Sequence, residues 1–330
     1  MSVVPLPLVS VGLPVYNGGT SLEAALDCLL AQDYPNIEFI ISDNASTDAT
    51  PKICEEYSRN EPRIKYSRCH LKKTMAWNFN HVFELSTGKY FMWAADDDLR
   101  EPSFVSACVE IMESHADAVL CQAHTAIYIE GNDEILHVAK LDSFNNKLDL
   151  VDRYEETLRH FPATAIYGLY RSSVVRKTHI YQESIAADLA FIQELSIYGR
   201  FVQVPKILFK YYGGKKWNTV NQDYNLFCGG KTKPWWYLPF IALFCSHYKR
   251  IVSSNIPFST KFHLCFVLVI HEVEQIVFKL VMKLVRAVCS EQLKENRIRS
   301  IYLRWMHNPN INIVNDSLYM ERVIKPMLRI

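Results

Sequence analysis

The chain predicts an α/β fold, a mostly parallel sheet flanked by helices and followed by a helical C-terminal region. Three observations lead there. Strand and helix signals alternate through the first 120 residues in the βαβ manner. Beyond about residue 214 that alternation stops and long helical patterns replace it. Three predicted strand ends carry polar, turn-forming residues, and open parallel sheets bind ligands outside the carboxyl ends of their strands.

Leu8–Leu13 is a short apolar strand that stops at Pro14, and Ser21–Gln32 follows with Leu22, Leu26, Leu29 and Leu30 at helical spacing. Ile37–Ser42 is the second strand. Thr50-Pro51 reads as a helix N-cap followed by proline at the first helical position. Ile64–Ser67 is a third strand and Met75–Leu85 a helix, after which Gly88 breaks the chain before a fourth strand at Tyr90–Ala95. Ser103–Ser114 reads as a helix and Ala118–Tyr128 as a strand. Residues 130–160 look polar and irregular, and Phe161–Tyr170 looks extended. Asp188–Tyr198 is a helix stopped by Gly199, before strands at Phe201–Val204 and Ile207–Tyr212. Gly213-Gly214 and Gly229-Gly230 mark a boundary, dividing the chain into 1–214 and 215–330. In 262–288, Val269, Val273, Ile276, Leu280 and Leu284 form an apolar stripe, with Lys279, Lys283 and Arg286 outside it.

Composition narrows the function. Hydrophobic residues make up 49%, with 18 Tyr, 17 Phe and 6 Trp, enough for a packed core rather than disorder. A net charge of +1 advertises no nucleic-acid partner. Nine cysteines lack CxxC spacing, and Met1–Pro7 lacks the basic start and apolar stretch of a signal peptide. Free thiols in a reducing cytoplasm are therefore expected. His271, Glu272, Glu274, Lys279 and Lys283 interrupt the longest apolar segment. Central charges cost roughly 2.5–3.5 kcal/mol each for membrane insertion, so no span is expected there.

The polar strand ends are Pro14-Val15-Tyr16-Asn17, Asp43-Asn44-Ala45-Ser46 and Asp96-Asp97-Asp98. Three adjacent carboxylates repel one another and suit a hard divalent cation with oxygen ligands, while a solvated acidic turn explains the same residues more simply. An aromatic, an amide, a carboxylate and a metal site in one crevice suit a nucleoside diphosphate. No GxGxxG follows the first strand and no GxxxxGK[ST] occurs, which argues against a dinucleotide dehydrogenase and a P-loop nucleotidase.

Val9-Ser10-Val11-Gly12-Leu13-Pro14-Val15-Tyr16-Asn17, Ile40-Ile41-Ser42-Asp43-Asn44-Ala45-Ser46-Thr47-Asp48-Ala49-Thr50 and Trp93-Ala94-Ala95-Asp96-Asp97-Asp98 together resemble the family 2 glycosyltransferases, over roughly residues 6–212. The resemblance implies a GT-A type, Rossmann-like sheet, a nucleotide-sugar donor, Mg²⁺ or Mn²⁺ as cofactor, and sugar transfer with inversion. By position it implies that Pro14, Tyr16 and Asn17 border the base and ribose, and that Asp43 accepts from a uracil or thymine ring. Asp98 would hold the metal, with Asp96 or Asp97 supporting ribose and metal. Asp48 reads as structural. Asp188 matches the family's general base, which takes the acceptor's proton; an ordinary helix cap is the simpler reading. Lys215 or Lys216, in Tyr211–Trp217, matches a basic loop that closes over the diphosphate, though a solvated basic turn fits too.

Three positions depart from the family pattern. Ala95 stands where the metal motif often begins with aspartate, Ala187 replaces a glutamate before Asp188, and Trp77-Asn78 replaces Arg-Asn, leaving Asn78 as the matching residue. The expected function is transfer of a sugar from a UDP- or dTDP-sugar to a glycan or lipid-linked acceptor in surface polysaccharide synthesis. Two alternatives stay open: a catalytically inactive nucleotide-sugar or glycan-binding module, and a sugar nucleotidyltransferase. The nucleotidyltransferase normally has a basic residue in a Gly-rich loop after strand one, and Pro14–Gly19 has none. Trp235–Phe244, flanked by Lys231, Lys233, Lys249 and Arg250, has the composition of an interfacial helix, or of one packed on the catalytic domain. A cytoplasmic protein that touches the inner face of the plasma membrane is consistent with both.

Overall fold

A computed structural model describes residues 5–19, 21–129, 132–144, 149–160, 163–213, 220–235, 237–288 and 311–313. The elements run in the order β1 (Val9–Val15), α1 (Leu22–Leu30), β2 (Ile37–Asp43), α2 (Thr50–Asn60), β3 (Ile64–Arg68), α3 (Met75–Glu84), β4 (Tyr90–Trp93), β5 (Leu99–Arg100), α4 (Phe104–Ser114), β6 (Ala118–Ile129) and β7 (Asn132–Ala139). There follow α5 (Leu150–His160), β8 (Leu169–Arg171), α6 (Ser172–Val175), α7 (Ala187–Tyr198), β9 (Arg200–Gly213), α8 (Val220–Phe227), α9 (Pro239–Ser253), α10 (Phe258–Val288) and β10 (Ile311–Ile313).

The sheet order is β10-β7-β6-β8-β4-β1-β2-β3, and β9 pairs with both β6 and β5. Strands β1 to β4 are parallel, as the alternating pattern predicts. The runs of β1, β2 and β4 are buried on both faces because helices cover both sides, while the edge strand β3 is part-exposed. One layer packs Val9, Val11 and Leu13 against Leu22, Leu26, Phe104 and Val105. The other gathers Ile40, Phe83, Phe91 and Trp93 with Phe191. Register sets the strand ends side by side: Val15 lies opposite Asp43, and Gly12 opposite Trp93.

Trp93 organises the second layer. It is fully buried, its indole N–H donates to the Phe79 carbonyl at 2.9 Å, and Phe91, Tyr170, Tyr181 and Phe191 surround it with ring centroids 4.7–5.7 Å away. Such pairs contribute about 0.5–1.5 kcal/mol each beyond area burial. Phe191 lies one turn beyond Asp188, so this packing brings the start of α7 beside the end of β4.

Several sequence expectations are corrected. Residues 132–139 and 150–160 are a strand and a helix, not an irregular stretch. Helix α5 escapes a hydrophobicity reading because the face it buries is partly polar: the Arg153 guanidinium donates to the Ser196 carbonyl, and His160 bonds Glu156. Ala163–Tyr167 is 3₁₀-helical rather than extended. The two strands expected at 201–212 are one, with a register shift around Pro205, which has no N–H to donate. Thr50 is not the cap of α2; Ala49 takes that position, and the Asp48 carboxylate accepts from the Thr50 N–H at 3.0 Å.

Helices α9 and α10 pack on α5 and α7 through Tyr154, Ile197, Ile251, Leu264 and Leu268. Arg250 does not flank an interfacial helix. It is buried, bonded to Glu194 of α7 and to the Ile180 carbonyl at 2.9 Å. Glu194 also accepts from His179, through its backbone N–H at 2.9 Å and its ring at 2.7 Å. Along α10, Glu274 pairs with Arg159 of α5 at 2.9 Å on an exposed rim, while Phe258, Phe262, Phe266, Val269, Val273 and Leu280 also lie exposed. Among the described residues no helix is long and apolar enough to cross a membrane.

Candidate active site

A cleft of about 1330 Å³ opens at the carboxyl ends of β1, β2 and β4. Pro14, Tyr16, Asn78, Asp96 and Asp97 line it, so five of the sequence-predicted residues share one wall system. Asn17, Asp43, Asp98 and Asp188 stand outside that lining, and Lys215 lies outside the described residues.

Asn17 and Asp43 build the wall from behind. Asn17 adopts a left-handed φ of 55°, its N–H donates to Ser46 Oγ at 2.9 Å, and its amide oxygen accepts from the Thr47 N–H at 2.9 Å. The Asp43 carboxylate is fully buried. It accepts from the Ser46 N–H at 2.8 Å and the Tyr66 hydroxyl at 3.0 Å, and pairs with Arg68 Nε at 3.2 Å. These contacts hold the turn at 43–46. Asn78 ties two strand ends, accepting from Ser42 Oγ at 2.6 Å and donating to the carbonyls of Ser42 at 3.1 Å and Val15 at 3.4 Å.

The aspartates divide. Asp96 and Asp97 reach the cleft, and a Cβ on Gly18 would lie 2.1 Å from Asp96 Oδ2. The chain after β1 thus approaches the acidic turn as closely as a residue without a side chain allows. Asp98 turns inward: it is 1% exposed, Oδ1 accepts from the Tyr212 N–H at 3.3 Å, and Oδ2 has no partner. Burial pushes its carboxyl up to about 7, with Asp97 and Asp96 adding to the rise and the Arg100 guanidinium opposing it. Arg100 is buried too, stacked 4.5 Å from the Phe209 ring centroid, with Nε and Nη1 unpartnered.

No preassembled group of three or more His, Cys, Asp or Glu ligands occurs among the described residues. The donors nevertheless suit a hard cation: all three are carboxylates, two face the cleft, and the third holds an orphaned buried oxygen.

Asp188 lies in the first turn of α7, not at its N-cap, which is Ala186 in the left-handed region at φ 58°. Burial raises the carboxyl, and the Leu189 N–H partly offsets the rise. Tyr167 lines the cleft, and burial, together with the electrostatic field of Asp98, Asp97 and Asp188, pushes its hydroxyl well above the ordinary tyrosine range.

Sequence reading missed two walls. One is the 72–74 loop. Asn44 grips the Lys73 backbone through its amide, accepting at 2.8 Å and donating at 3.1 Å. Lys72 sets its ammonium 3.8 Å from the Tyr16 ring centroid. The other runs from Asn221 on α8 to Lys233. There Gly229 is left-handed, and an added Cβ would meet Thr74 Cγ2 at 2.9 Å. The Gly229-Gly230 signal was visible, but as a boundary rather than a cleft wall.

Residues 10–176, half of the chain, match the sequence model for Glycosyl transferase family 2. An uncharacterized glycosyltransferase of Haemophilus influenzae is 25% identical over 232 residues, 66% of this chain and 70% of the relative. The putative glycosyltransferase EpsE of Bacillus subtilis is 34% identical over 110 residues, 33% of this chain and 40% of EpsE. Among solved structures, S. aureus TarS 1-349 in complex with UDP-GlcNAc superposes with a TM-score of 0.60 at 16% identity, covering 81% of this chain and 73% of that one. The mannosyltransferase PcManGT from Pyrobaculum calidifontis, in complex with GDP-Man and Mn²⁺, gives 0.53 at 15% identity, covering 92% and 83%. With the family model matched from β1 to the end of α6 and the same fold present in solved glycosyltransferases, the chain belongs to glycosyl transferase family 2 and is a glycosyltransferase of GT-A fold.

Proposed function

We propose that the chain transfers a sugar, with inversion, from a UDP- or dTDP-sugar to a glycan or lipid-linked acceptor during surface polysaccharide assembly. The observation that carries this reading is the single cleft in which Tyr16, Asn78, Asp96 and Asp97 meet at three adjacent strand ends. The base and ribose lie against Pro14, Tyr16 and Asn17, with Asp43 as the acceptor for the ring N–H, while Asn78 ties the strand ends that shape the subsite. TarS with UDP-GlcNAc and PcManGT with GDP-Man and Mn²⁺ support a nucleotide-sugar donor and a divalent metal.

Asp96 and Asp98, with Asp97 beside them, would hold Mg²⁺ or Mn²⁺, which when bound would offset the negative charge of the leaving diphosphate. Lys215 adds a cation from the following segment. Asp188 accepts the proton of the acceptor hydroxyl at its carboxylate while that oxygen attacks the anomeric carbon from the face opposite the diphosphate. Burial favours the acid form of Asp188, making its carboxylate a stronger base than an exposed one.

Residues 1–214 are the catalytic domain, and the following region, 215–330, supplies one cleft wall from residues 221–233 and a membrane-facing surface from α10. The exposed stripe of α10 supports contact with the inner face of the plasma membrane by a cytoplasmic protein. Failure to float with anionic liposomes would remove that part of the reading.

The decisive experiment measures donor turnover with Mn²⁺ in the natural protein and in Asp188→Asn. Transfer should vanish in the variant while donor binding persists, and retained turnover removes Asp188 as the base. Ala95 and Ala187 favour a second reading, an inactive nucleotide-sugar-binding module. That reading wins if the natural protein binds nucleotide but never turns donor over.

A further inference from the structure

The cations around the cleft are not equivalent. Lys231 leans toward Glu183 at 3.9 Å. Lys233 donates to the carbonyls of Pro234 and Tyr237, each at 3.3 Å. Lys72 instead rests on an aromatic face that itself lines the cleft, 3.8 Å from the Tyr16 centroid. Tyr16 is 41% exposed, so the contact lies at the open end rather than in the core.

The backbone around Lys72 is held in place. The Cys69 N–H donates to the Asp43 carbonyl at 2.9 Å, Asn44 clamps Lys73 on both sides, and Thr74 Oγ1 accepts from the Trp77 N–H at 3.1 Å to cap α3. What remains free to move is the exposed lysine side chain. The acidic end of the cleft is close by, because Asp96 comes against Gly18, two residues past Tyr16.

We propose that Lys72 is a displaceable occupant of the nucleobase subsite, covering the Tyr16 ring until a base stacks there and then pairing with the ligand's phosphates. This rests on the nucleotide-sugar reading above and adds to it a residue with two opposed effects. An exposed cation–π contact is weaker than the stacking of a base on an aromatic ring, so the exchange runs toward the base. The released ammonium meets an anion rather than bulk water, so phosphate-bearing ligands gain where a bare nucleoside pays only for the displacement.

The test titrates uridine and UDP, with MnCl₂ held constant, into the full chain and into Lys72→Ala and Lys72→Arg, with circular dichroism melts to confirm folding. In K72A, UDP should bind about fivefold more weakly and uridine about twofold more tightly, and the loss of UDP affinity on adding NaCl should shrink. K72R should restore both affinities, since arginine stacks and pairs phosphate as well. The proposal is overturned if K72A leaves both ligands unchanged, or shifts both in the same direction. When the natural protein binds UDP, such a failure falls on Lys72 alone. A natural protein that binds none of UDP, dTDP or GDP overturns the nucleotide reading, and the role of Lys72 with it.

Discussion

Replacing Arg250 by methionine should cost about 3–5 kcal/mol of stability, the scale measured when one partner of a buried ion pair is removed. The structure makes the origin of that cost specific. Arg250 is 1% exposed, and its guanidinium serves both the Glu194 carboxylate and the Ile180 carbonyl. Methionine fills comparable space but strands a buried carboxylate, leaving Glu194 with only His179. In a domain stable by about 5–15 kcal/mol, that loss is severe. Urea denaturation of the natural protein, R250M, Glu194→Gln and the double variant forms a complete cycle. The double variant should recover at least about 2 kcal/mol relative to the sum of the singles, because the stranded charge is gone. A loss below about 1 kcal/mol in R250M, or simple additivity, would refute the reasoning. The same latch holds Ile180, next to Tyr181, which packs on Trp93 and Phe191 near Asp188. R250M that still folds should therefore also transfer sugar more slowly.

Three further outcomes are expected. Asp188 carries a raised carboxyl, so kcat/KM should fall on acidification at a pH above the ordinary carboxylate range; an acid limb near 4 would contradict its role. Burial, with Arg250 and His271 nearby, pushes the His247 imidazole down to about 3. The unfolded chain takes up that proton near pH 6.5 and the folded chain does not, so stability falls as pH drops below 6.5, by about 2 kcal/mol between pH 7 and 5; His247→Gln should remove that portion from the pH dependence of urea midpoints. Phe191→Ala opens a cavity beside Trp93, 5.3 Å away between ring centroids, and should cost about 3–5 kcal/mol. It should lower transfer more than nucleotide binding, as thermal melts with and without UDP and turnover assays can separate.

The centre of the parallel sheet was readable because β1, β2 and β4 are buried on both faces and so appear as largely apolar runs ending in turn residues. Asp96–Asp98 and Tyr16 stood out for the same reason, as polar breaks at strand ends. Helix α5 was not readable, because it turns Arg153 and Glu156 toward the interior, Arg153 bonding Ser196 far along the chain and Glu156 bonding His160 one turn away. Lys72 and the Asn44 clamp were hidden too, since nothing local links residue 44 to residue 73. The inward turn of Asp98 depends on Tyr212 and Arg100, a tertiary arrangement that three identical letters cannot distinguish.

The left-handed residues Asn17, Ala45 and Ala186, with φ of 55°, 61° and 58°, bear on the thermodynamics of ligand capture. Two of them lie at the start of the loops after β1 and β2, and the third opens the helix of Asp188. Each costs of order 1–2 kcal/mol that glycine would relieve. A glycine would also let the loop wander through conformations that the Cβ forbids. The chain keeps the Cβ and holds these loops in one geometry before a ligand arrives. Little ordering entropy is then left for binding to supply, and recognition is biased toward a stiff receptor whose affinity is carried by enthalpy.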